Sequence, residues 1–213
     1  MNQYAQADPA SHAGTAAALV HAGRSLFAQR GFDGTSVRAI TAQAGANLGA
    51  ITYHFGSKAA LYEAVLRSAI GPSQHKIAAA AAGPGSALQR VEGIVRALFD
   101  YLYENPDLPS LMMQLLVSGR AIPEPALQAM QANIGQLAGV IAEGQAEGSI
   151  RAGDPQLMAL SIGAQPIWLA LARRALQAGI AIDQDELDTR EQLVESVARF
   201  VRAGLADYLE TRE

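Results

Sequence analysis

The sequence predicts an all-α protein, built from a small N-terminal helical domain and a larger C-terminal one. Alanine and leucine are abundant and recur at spacings of three and four residues, the period of an amphipathic helix. No stretch alternates between apolar and polar residues for long, and clusters of β-branched residues are scarce. Helix-ending Gly and Pro signals divide the chain at intervals that suit helices. We place the domains at residues 1–70 and 71–213, with ordered helices from about residue 13.

Composition and charge limit the classes of function. Half of the 213 residues are hydrophobic and 17% are charged, which is enough apolar sequence for a sizeable core. The net charge is −4, but residues 1–70 stand at +2 and the remainder at −6, so the front of the chain can face an anion. Cysteine is absent, and neither a signal peptide nor a membrane-spanning run is visible. We expect a cytoplasmic protein with no membrane association, no cofactor and no metal.

Three helices are predicted in the N-terminal domain before the long fourth helix. A helix from about Thr15 to Arg30 carries an apolar stripe and ends before a glycine. A second helix over 36–44 follows, because Thr35 or Ser36 can cap its N-terminus and Gly45 can end it.

The third helix is predicted from Leu48 to Phe55, with Asn47 as its cap. Projection at 100° per residue places Leu48, Ile51 and Phe55 on the inward face. The outward face then holds Gly49, Ala50 and Tyr53.

A longer fourth helix, 57–82, links the two domains. Gly71-Pro72 interrupts it, which predicts a kink or a brief break and makes this dipeptide a candidate hinge. The "GPGS" at 83–86 is a stronger boundary signal. Beyond it the punctuation predicts five larger helices, at roughly 86–104, 107–119, 124–147, 154–178 and 184–210.

Two short helices with a tight glycine connection are typical of a helix-turn-helix, whose second helix enters the DNA major groove. Gly49 and Ala50 on the outward face allow close approach to the groove floor. Tyr53 and His54 can donate hydrogen bonds to phosphate oxygens, and Lys58 adds a positive charge beside a helix N-terminus. The pattern therefore predicts an N-terminal helix-turn-helix that binds DNA.

A family resemblance rests on the stretch "LFAQRGFDGTSVRAITAQAGANLGAITYHFGSKAALYEAV". Its elements "LF…GF.GTS…I…AG" and "G.I.YHF.SK..LY" resemble the DNA-binding domain of the TetR family of transcriptional regulators, over about residues 19–66. The resemblance implies an all-helical homodimer whose first three helices bind DNA. A fourth helix would link them to a larger domain that binds a small ligand and dimerises.

The family pattern also implies roles for individual residues. Phosphate contacts are expected from Ser36, Tyr53, His54 and Lys58, and base-edge contacts from Arg38, Asn47, Gly49, Ala50 and Thr52. Thr52 stands where the family commonly has an aromatic residue. Two interpretations of Thr52 remain, contact with a thymine methyl group or a place at the border of the core.

The larger domain carries weaker signals. Seven residues could line a ligand cavity or simply fill the core: Phe99, Tyr103, Met112, Met113, Leu116, Gln165 and Trp168. Gln165, beside Pro166 in an apolar run, is the most suggestive polar candidate. Charge is almost absent between Asp154 and Arg173, which predicts burial against a partner subunit. Helices 154–178 and 184–210 are therefore expected to form a four-helix homodimer interface.

The resulting hypothesis is a ligand-responsive DNA-binding transcriptional regulator. We expect a repressor that binds a pseudo-palindromic operator as a dimer and is released by a small-molecule effector. The alternative is a helical small-molecule-binding or protein-interaction module without specific operator binding. An enzyme is not expected, since the sequence shows no nucleophile–base pair, metal-ligand cluster or Gly-rich phosphate loop.

Overall fold

The computed structural model describes residues 9–206, with side chains from Ala13 onward. This part of the chain contains ten α-helices and no β-strand, which confirms the predicted all-α class. None of these helices has the length and apolar character needed to cross a membrane. The helices are α1 Pro9–Arg30, α2 Val37–Gln43, α3 Ala50–Phe55, α4 Lys58–Ala81, α5 Ala87–Glu104, α6 Leu108–Val117, α7 Glu124–Ala146, α8 Pro155–Leu171, α9 Arg173–Ile180 and α10 Leu187–Leu205.

The helices pack as two compact units. Among the described residues, the first contains 9–69 together with Ser110–Ala126, and the second contains Ile70–Pro109 and 127–206. The division falls within α4 and within α6, so both helices contribute residues to each unit. No feature of the sequence predicted that Ser110–Ala126 packs with the N-terminal helices.

An apolar core holds the first unit together. Its fully buried side chains come from α1 to α4, and burial of each stabilises the fold by about 1.5–3 kcal/mol. Phe27, Phe32 and Tyr62 form a ring cluster, in which the centroids of Phe27 and Tyr62 are 4.8 Å apart. The members exposed by 4% or less include Leu19, Leu26, Phe27, Ile40, Ile51, Leu61, Val65 and Leu66.

The second unit is built around α5, which packs against α8 and α10. Ser86 begins α5 with a capping box, in which its hydroxyl accepts from the Gln89 amide while the Gln89 side chain accepts from the Ser86 amide. Phe99 is fully buried in the core of this unit. The helix bounds of α5 and α7 fall within one residue of the prediction.

The sequence predicted either a kink or a brief break at Gly71-Pro72, and the structure has no break there. Helix α4 runs without interruption from Lys58 to Ala81 with Pro72 inside it. The buried Ser73 hydroxyl donates to the Ile70 carbonyl at 2.6 Å and accepts from the Asn133 side-chain amide at 2.9 Å. The bond from Asn133 holds the residue after the proline against α7.

The single helix predicted over 154–178 is instead two helices. Helix α8 ends at Leu171, and α9 begins at Arg173 after Ala172. The fully buried Gln184 amide donates to the Leu169 carbonyl at 3.0 Å, so a distant side chain caps the end of α8. No Gly or Pro marks this end, and local sequence therefore could not show it.

Candidate nucleic-acid interface

Ser36 fixes the start of α2. It has an extended backbone, and its hydroxyl accepts a hydrogen bond from the Ala39 amide at 3.1 Å. Thr35, just before it, is buried, and its hydroxyl donates to the carbonyls of Gly31 and Leu26 at 2.8 and 3.2 Å. Of the two predicted caps, Ser36 is the N-cap and Thr35 anchors the preceding loop to the end of α1.

A glycine turn ends α2 and sets up α3. Gly45 has a φ of +63°, a left-handed conformation that glycine adopts without steric cost. Its amide donates to the Ala42 carbonyl at 3.3 Å, and the Ala46 amide donates to the Thr41 carbonyl at 2.9 Å. This pair of bonds is the Schellman motif, so the predicted role of Gly45 in ending α2 is confirmed.

Helix α3 begins later than predicted and presents a different face. It starts at Ala50 with Gly49 as its N-cap and with no side-chain capping bond, so the predicted cap at Asn47 is wrong. Leu48 is 58% exposed and Ala50 only 6%. The predicted inward position of Leu48 and outward position of Ala50 are therefore wrong. The helical projection does not apply to Leu48, because this residue lies in the turn before the helix. The buried Ala50 side chain is accordingly poorly placed for a base contact.

The remaining predicted base-edge residues lie on the surface. Arg38 on α2 is exposed, as are Asn47 and Gly49 in the turn and Thr52 on α3. Exposure of Thr52 removes the interpretation that it borders the core. Asn47, Gly49 and Thr52 lie around the N-terminus of α3, the part of a recognition helix that meets base edges.

Tyr53 and His54 lie toward the end of α3. Tyr53 is 72% exposed and His54 is half-buried, and their rings meet edge to face with centroids 5.0 Å apart. The ring contact restrains both side chains, which favours hydrogen bonding to a fixed phosphate over free rotation in solvent. Ser36, at the start of α2, is also exposed.

Lys58 has a more complex environment than a solvated surface cation. Its Nζ donates to the Thr35 carbonyl at 2.7 Å and lies 4.2 Å from the centroid of the Phe32 ring. Burial lowers the pKa of the ammonium group, an effect that the charge of Asp33 opposes and that of Arg120 reinforces. The side chain thus ties the first turn of α4 to the loop between α1 and α2.

Arg120 is a residue that the sequence reasoning missed. Its guanidinium carbon lies 4.2 Å from the centroid of Phe32, and its Nη1 is 3.3 Å from the Asp33 carboxylate. Phe32 therefore contacts two cations, and Asp33 lies near both. The residue sits in the irregular segment between α6 and α7, where no periodicity could have indicated it.

The seven predicted ligand-pocket residues fall into different environments. In the first unit, Met112 is half-buried, while Met113 and Leu116 are 40% and 54% exposed. In the second unit, Phe99 and Tyr103 stack with centroids 5.9 Å apart. The others are on α8, where Trp168 is 58% exposed and the half-buried Gln165 donates to the Ser161 carbonyl at 3.3 Å, within the helix itself.

An open groove of about 1060 Å³ lies between α5 and α10 in the second unit. Of the predicted pocket residues, only Tyr103 lines it, with the Arg190 guanidinium over its ring at 4.6 Å. Burial raises the pKa of the Tyr103 phenol, while the charge of Arg190 acts against that rise. Charged residues of both signs make up most of the wall: Arg96, Arg190, Arg199, Asp100, Glu104, Glu191 and Glu195.

Two side-chain oxygens on α7 are buried without a hydrogen-bond partner among the described residues, Oδ1 of Asn133 and Oε1 of Gln136. Residues three apart share a helix face. A buried acceptor without a donor is costly and marks a position where a ligand or water can bind. Across the described residues, no group of three or more His, Asp and Glu side chains is placed to hold a metal ion.

Large apolar side chains are exposed on α8 and α10. Leu157, Leu160 and Trp168 follow one face of α8, with exposures of 62%, 48% and 58%. On α10, Phe200 is 69% exposed. The exposed apolar face of α8, a helix without charged residues, is typical of an interaction surface.

Comparison with known proteins agrees with the helix-turn-helix geometry. Residues 19–65 match the family model described as bacterial regulatory proteins, tetR family. A bacterial regulatory protein in the tetR family from Rhodococcus RHA1 has a TM-score of 0.72 at 22% identity, covering 91% of this chain and 98% of that one. A transcriptional regulator of the TetR/AcrR family from Thermobifida fusca YX-ER1 has a TM-score of 0.63 at 22% identity, covering 89% and 97%.

A third solved structure contains ligands. AibR, crystallised in complex with isovaleryl coenzyme A and operator DNA, has a TM-score of 0.70 at 16% identity, covering 87% of this chain and 97% of that one. No curated protein matches the sequence. At identities this low, the structural likeness establishes the shared fold, and the family match concerns the N-terminal domain.

Proposed function

We infer that this chain, whose residues 19–65 match the tetR family model and whose fold is shared with solved TetR-family structures, is a DNA-binding transcriptional regulator that responds to a small-molecule effector. The observation that carries the inference is the α2–α3 pair. A Schellman turn at Gly45 joins two short helices, and the start of the second helix presents exposed polar and small residues above a buried Ala50–Ile51 face.

DNA recognition follows from the position of these residues. Asn47 and Thr52 are proposed base-reading side chains because they are exposed around the N-terminus of α3. Arg38, which is exposed on α2, is the third proposed base-reading side chain. Gly49 lets the backbone approach the groove floor. Ser36, Tyr53, His54 and Lys58 are the proposed phosphate contacts, which set the register of the domain on the duplex.

We propose that the functional form is a homodimer through α8 and α10. The exposed Leu157, Leu160, Trp168 and Phe200 side chains would be removed from water in a four-helix interface. A two-fold dimer carries two recognition helices, which matches a pseudo-palindromic operator with half-sites about 34 Å or one helical turn apart.

The proposed effector site lies in the second unit. Asn133 and Gln136 offer buried acceptor oxygens on one face of α7, so the effector would carry N–H or O–H donors. AibR shares the fold and was crystallised in complex with isovaleryl coenzyme A and operator DNA, which supports the proposal that a protein of this fold can bind both kinds of ligand. An effector that binds more tightly to a conformation unable to bind DNA would shift the population and release the operator, as in a repressor.

A salt-titrated gel shift tests the proposal. The full chain should bind selected operator DNA at least a hundredfold more tightly than random DNA, and the affinity should fall steeply as salt is raised. Equal affinity for both DNAs at every salt concentration would contradict specific regulation. That result would favour the alternative function, a helical small-molecule-binding or protein-interaction module, for which the buried acceptors on α7 remain the relevant feature.

A further inference from the structure

Leu48 is an exception in the N-terminal helices. Among the side chains described between Ala13 and Ala69, the large hydrophobic ones that are mainly exposed are Leu48 and Tyr53. Tyr53 has a hydroxyl group that can bind phosphate, whereas Leu48 has only an apolar side chain, and it is 58% exposed. The core of this unit is complete without it, since other leucines and isoleucines of α1 to α4 are fully buried.

Leu48 occupies a position at which an apolar side chain can fix the start of a helix. Leu48 precedes the N-cap Gly49, and Tyr53 occupies the fourth position of α3, the two positions that pack together in a hydrophobic staple. A staple buries both side chains, but their exposures are 58% and 72%. The helix entry is fixed instead by the main chain, through the bond from the Ala50 amide to the Asn47 carbonyl at 3.0 Å. Leu48 is therefore not required for the start of α3.

The position of Leu48 places it where a recognition helix meets the groove. It lies between the exposed Asn47 and Gly49, immediately before the N-terminus of α3. Side chains at this end of the second helix contact base edges. An apolar side chain there has one apolar feature to recognise in the major groove, the C5-methyl group of a pyrimidine.

We propose that Leu48 is a specificity-determining residue that reads a pyrimidine C5-methyl group in the operator. The inference rests on the proposed DNA-binding function and adds to it the chemical group that one side chain selects. Thymine carries this methyl group, and 5-methylcytosine presents the same group at the same edge of the groove. Binding removes the apolar surface of both Leu48 and the methyl group from water, whereas uracil and cytosine leave Leu48 against a bare ring edge.

Methyl-deletion mapping on the full chain tests the proposal. Operator DNA is first selected from a random duplex pool, and each thymine of a half-site is then replaced in turn by deoxyuridine. At the position read by Leu48 the wild type should lose about fourfold in affinity for each methyl group removed. The same replacement should change the affinity of Leu48→Ala by less than about 1.5-fold. A 5-methylcytosine–guanine pair at that position should bind the wild type more tightly than cytosine–guanine by the same factor of about four.

Matched variants separate the contact from indirect effects. Leu48→Met keeps an apolar side chain and should retain the methyl dependence, and Val117→Ala, an exposed apolar position on α6, should behave as wild type throughout. Melting temperatures of all variants should agree, because Leu48 is not in the core. Thr52→Ser should leave the methyl dependence unchanged at the position read by Leu48, and any change that it causes should fall at a different base pair. This difference distinguishes the two candidate methyl-reading residues.

Each outcome is decisive. Loss of methyl dependence in Leu48→Ala at one position, with retention in Leu48→Met, supports the proposal. Identical deoxyuridine profiles for wild type and Leu48→Ala overturn it while the proposed DNA-binding function stands. Failure of the wild type to enrich any sequence overturns both.

Discussion

The ammonium nitrogen of Lys58 donates a hydrogen bond to the main-chain oxygen of Thr35 at 2.7 Å, and so joins the first residue of α4 to the loop before α2. Phe32 lies beneath the same nitrogen at 4.2 Å. An ammonium group has three N–H donors, so one bond to the loop is compatible with a second to a DNA phosphate. Lys58 can thus orient α2 against α4 and contact the backbone of the duplex.

Replacement of Lys58 by methionine tests this double role. Lys58→Met keeps an unbranched apolar side chain but removes the charge, so binding to every DNA sequence should weaken. The slope of log K against log salt should become shallower by about 0.9, the value for one phosphate contact. Lys76→Met, which removes a charge from the same helix in the second unit, should leave the slope unchanged. An unaltered slope for Lys58→Met would limit Lys58 to the loop contact.

Two substitutions of Ser36 separate its capping role from its proposed phosphate contact. Ser36→Ala should lower the free energy of unfolding by about 1 kcal/mol, because the Ala39 amide loses its acceptor. Ser36→Asp keeps a good cap and should leave stability nearly unchanged, while its negative charge should weaken DNA binding about tenfold. Urea denaturation and gel shifts measure the two effects. Equal DNA affinity of Ser36→Asp and wild type would remove Ser36 from the interface.

Substitutions of Asn47 and Tyr53 are expected to affect DNA binding in different ways, the first by changing sequence preference and the second by weakening binding to all sequences. Asn47→Ala should alter the preference among operator variants by about 1–3 kcal/mol at one base pair, since an amide can form two hydrogen bonds to a base edge. Tyr53→Phe removes a hydroxyl that we assign to phosphate and should weaken all sequences alike, by about 1–2 kcal/mol. Binding to a panel of single-base operator variants distinguishes these patterns. A uniform loss for Asn47→Ala would instead assign Asn47 to the DNA backbone.

Local signals in the sequence predicted the helix ends correctly where neighbouring residues in the chain determine the geometry. Gly45 adopts the left-handed conformation expected of a helix-ending glycine, and Ser36 is the N-cap of α2. The orientation of α3 was not predictable in the same way, because a helical projection from Leu48 assumes that this residue is helical. The structure has a turn there, so the buried face centres on Ala50 and Ile51.

Tertiary contacts account for the other differences. Gln184 caps α8 from a loop fifteen residues away, and Arg120 stacks on Phe32 across a much longer stretch of sequence. Neither contact leaves a periodic or motif-like trace. Trp168 was the subject of two predictions, a cavity lining and, from the lack of charge in α8, a subunit interface. Its exposure fits the subunit interface better than the cavity lining.

Pro72 offers a test of the proposed hinge in α4. Proline within a helix lacks the N–H that bonds to the preceding turn, so Pro72→Ala should raise the free energy of unfolding by about 1–3 kcal/mol. A hinge role predicts that operator affinity changes as well, because a uniformly bonded helix resists bending. Gly135→Ala on α7, where an added Cβ meets no neighbour, should raise stability without altering operator affinity. Unchanged operator affinity and effector response in Pro72→Ala would exclude the hinge.

The proposed dimer interface predicts a sharp response to charge on α8 and α10. Trp168→Glu and Phe200→Glu each place a carboxylate on an exposed apolar position, where dimer formation would have to desolvate it. Sedimentation at micromolar concentration should show the wild type as a dimer and each variant as a folded monomer. Operator affinity should fall at least a hundredfold, because a monomer engages one half-site without the gain from linking two. Val117→Glu, at a residue that is 66% exposed on α6, should remain dimeric with wild-type affinity. Dimers that persist in both α8 and α10 variants would place the interface on another surface of the second unit.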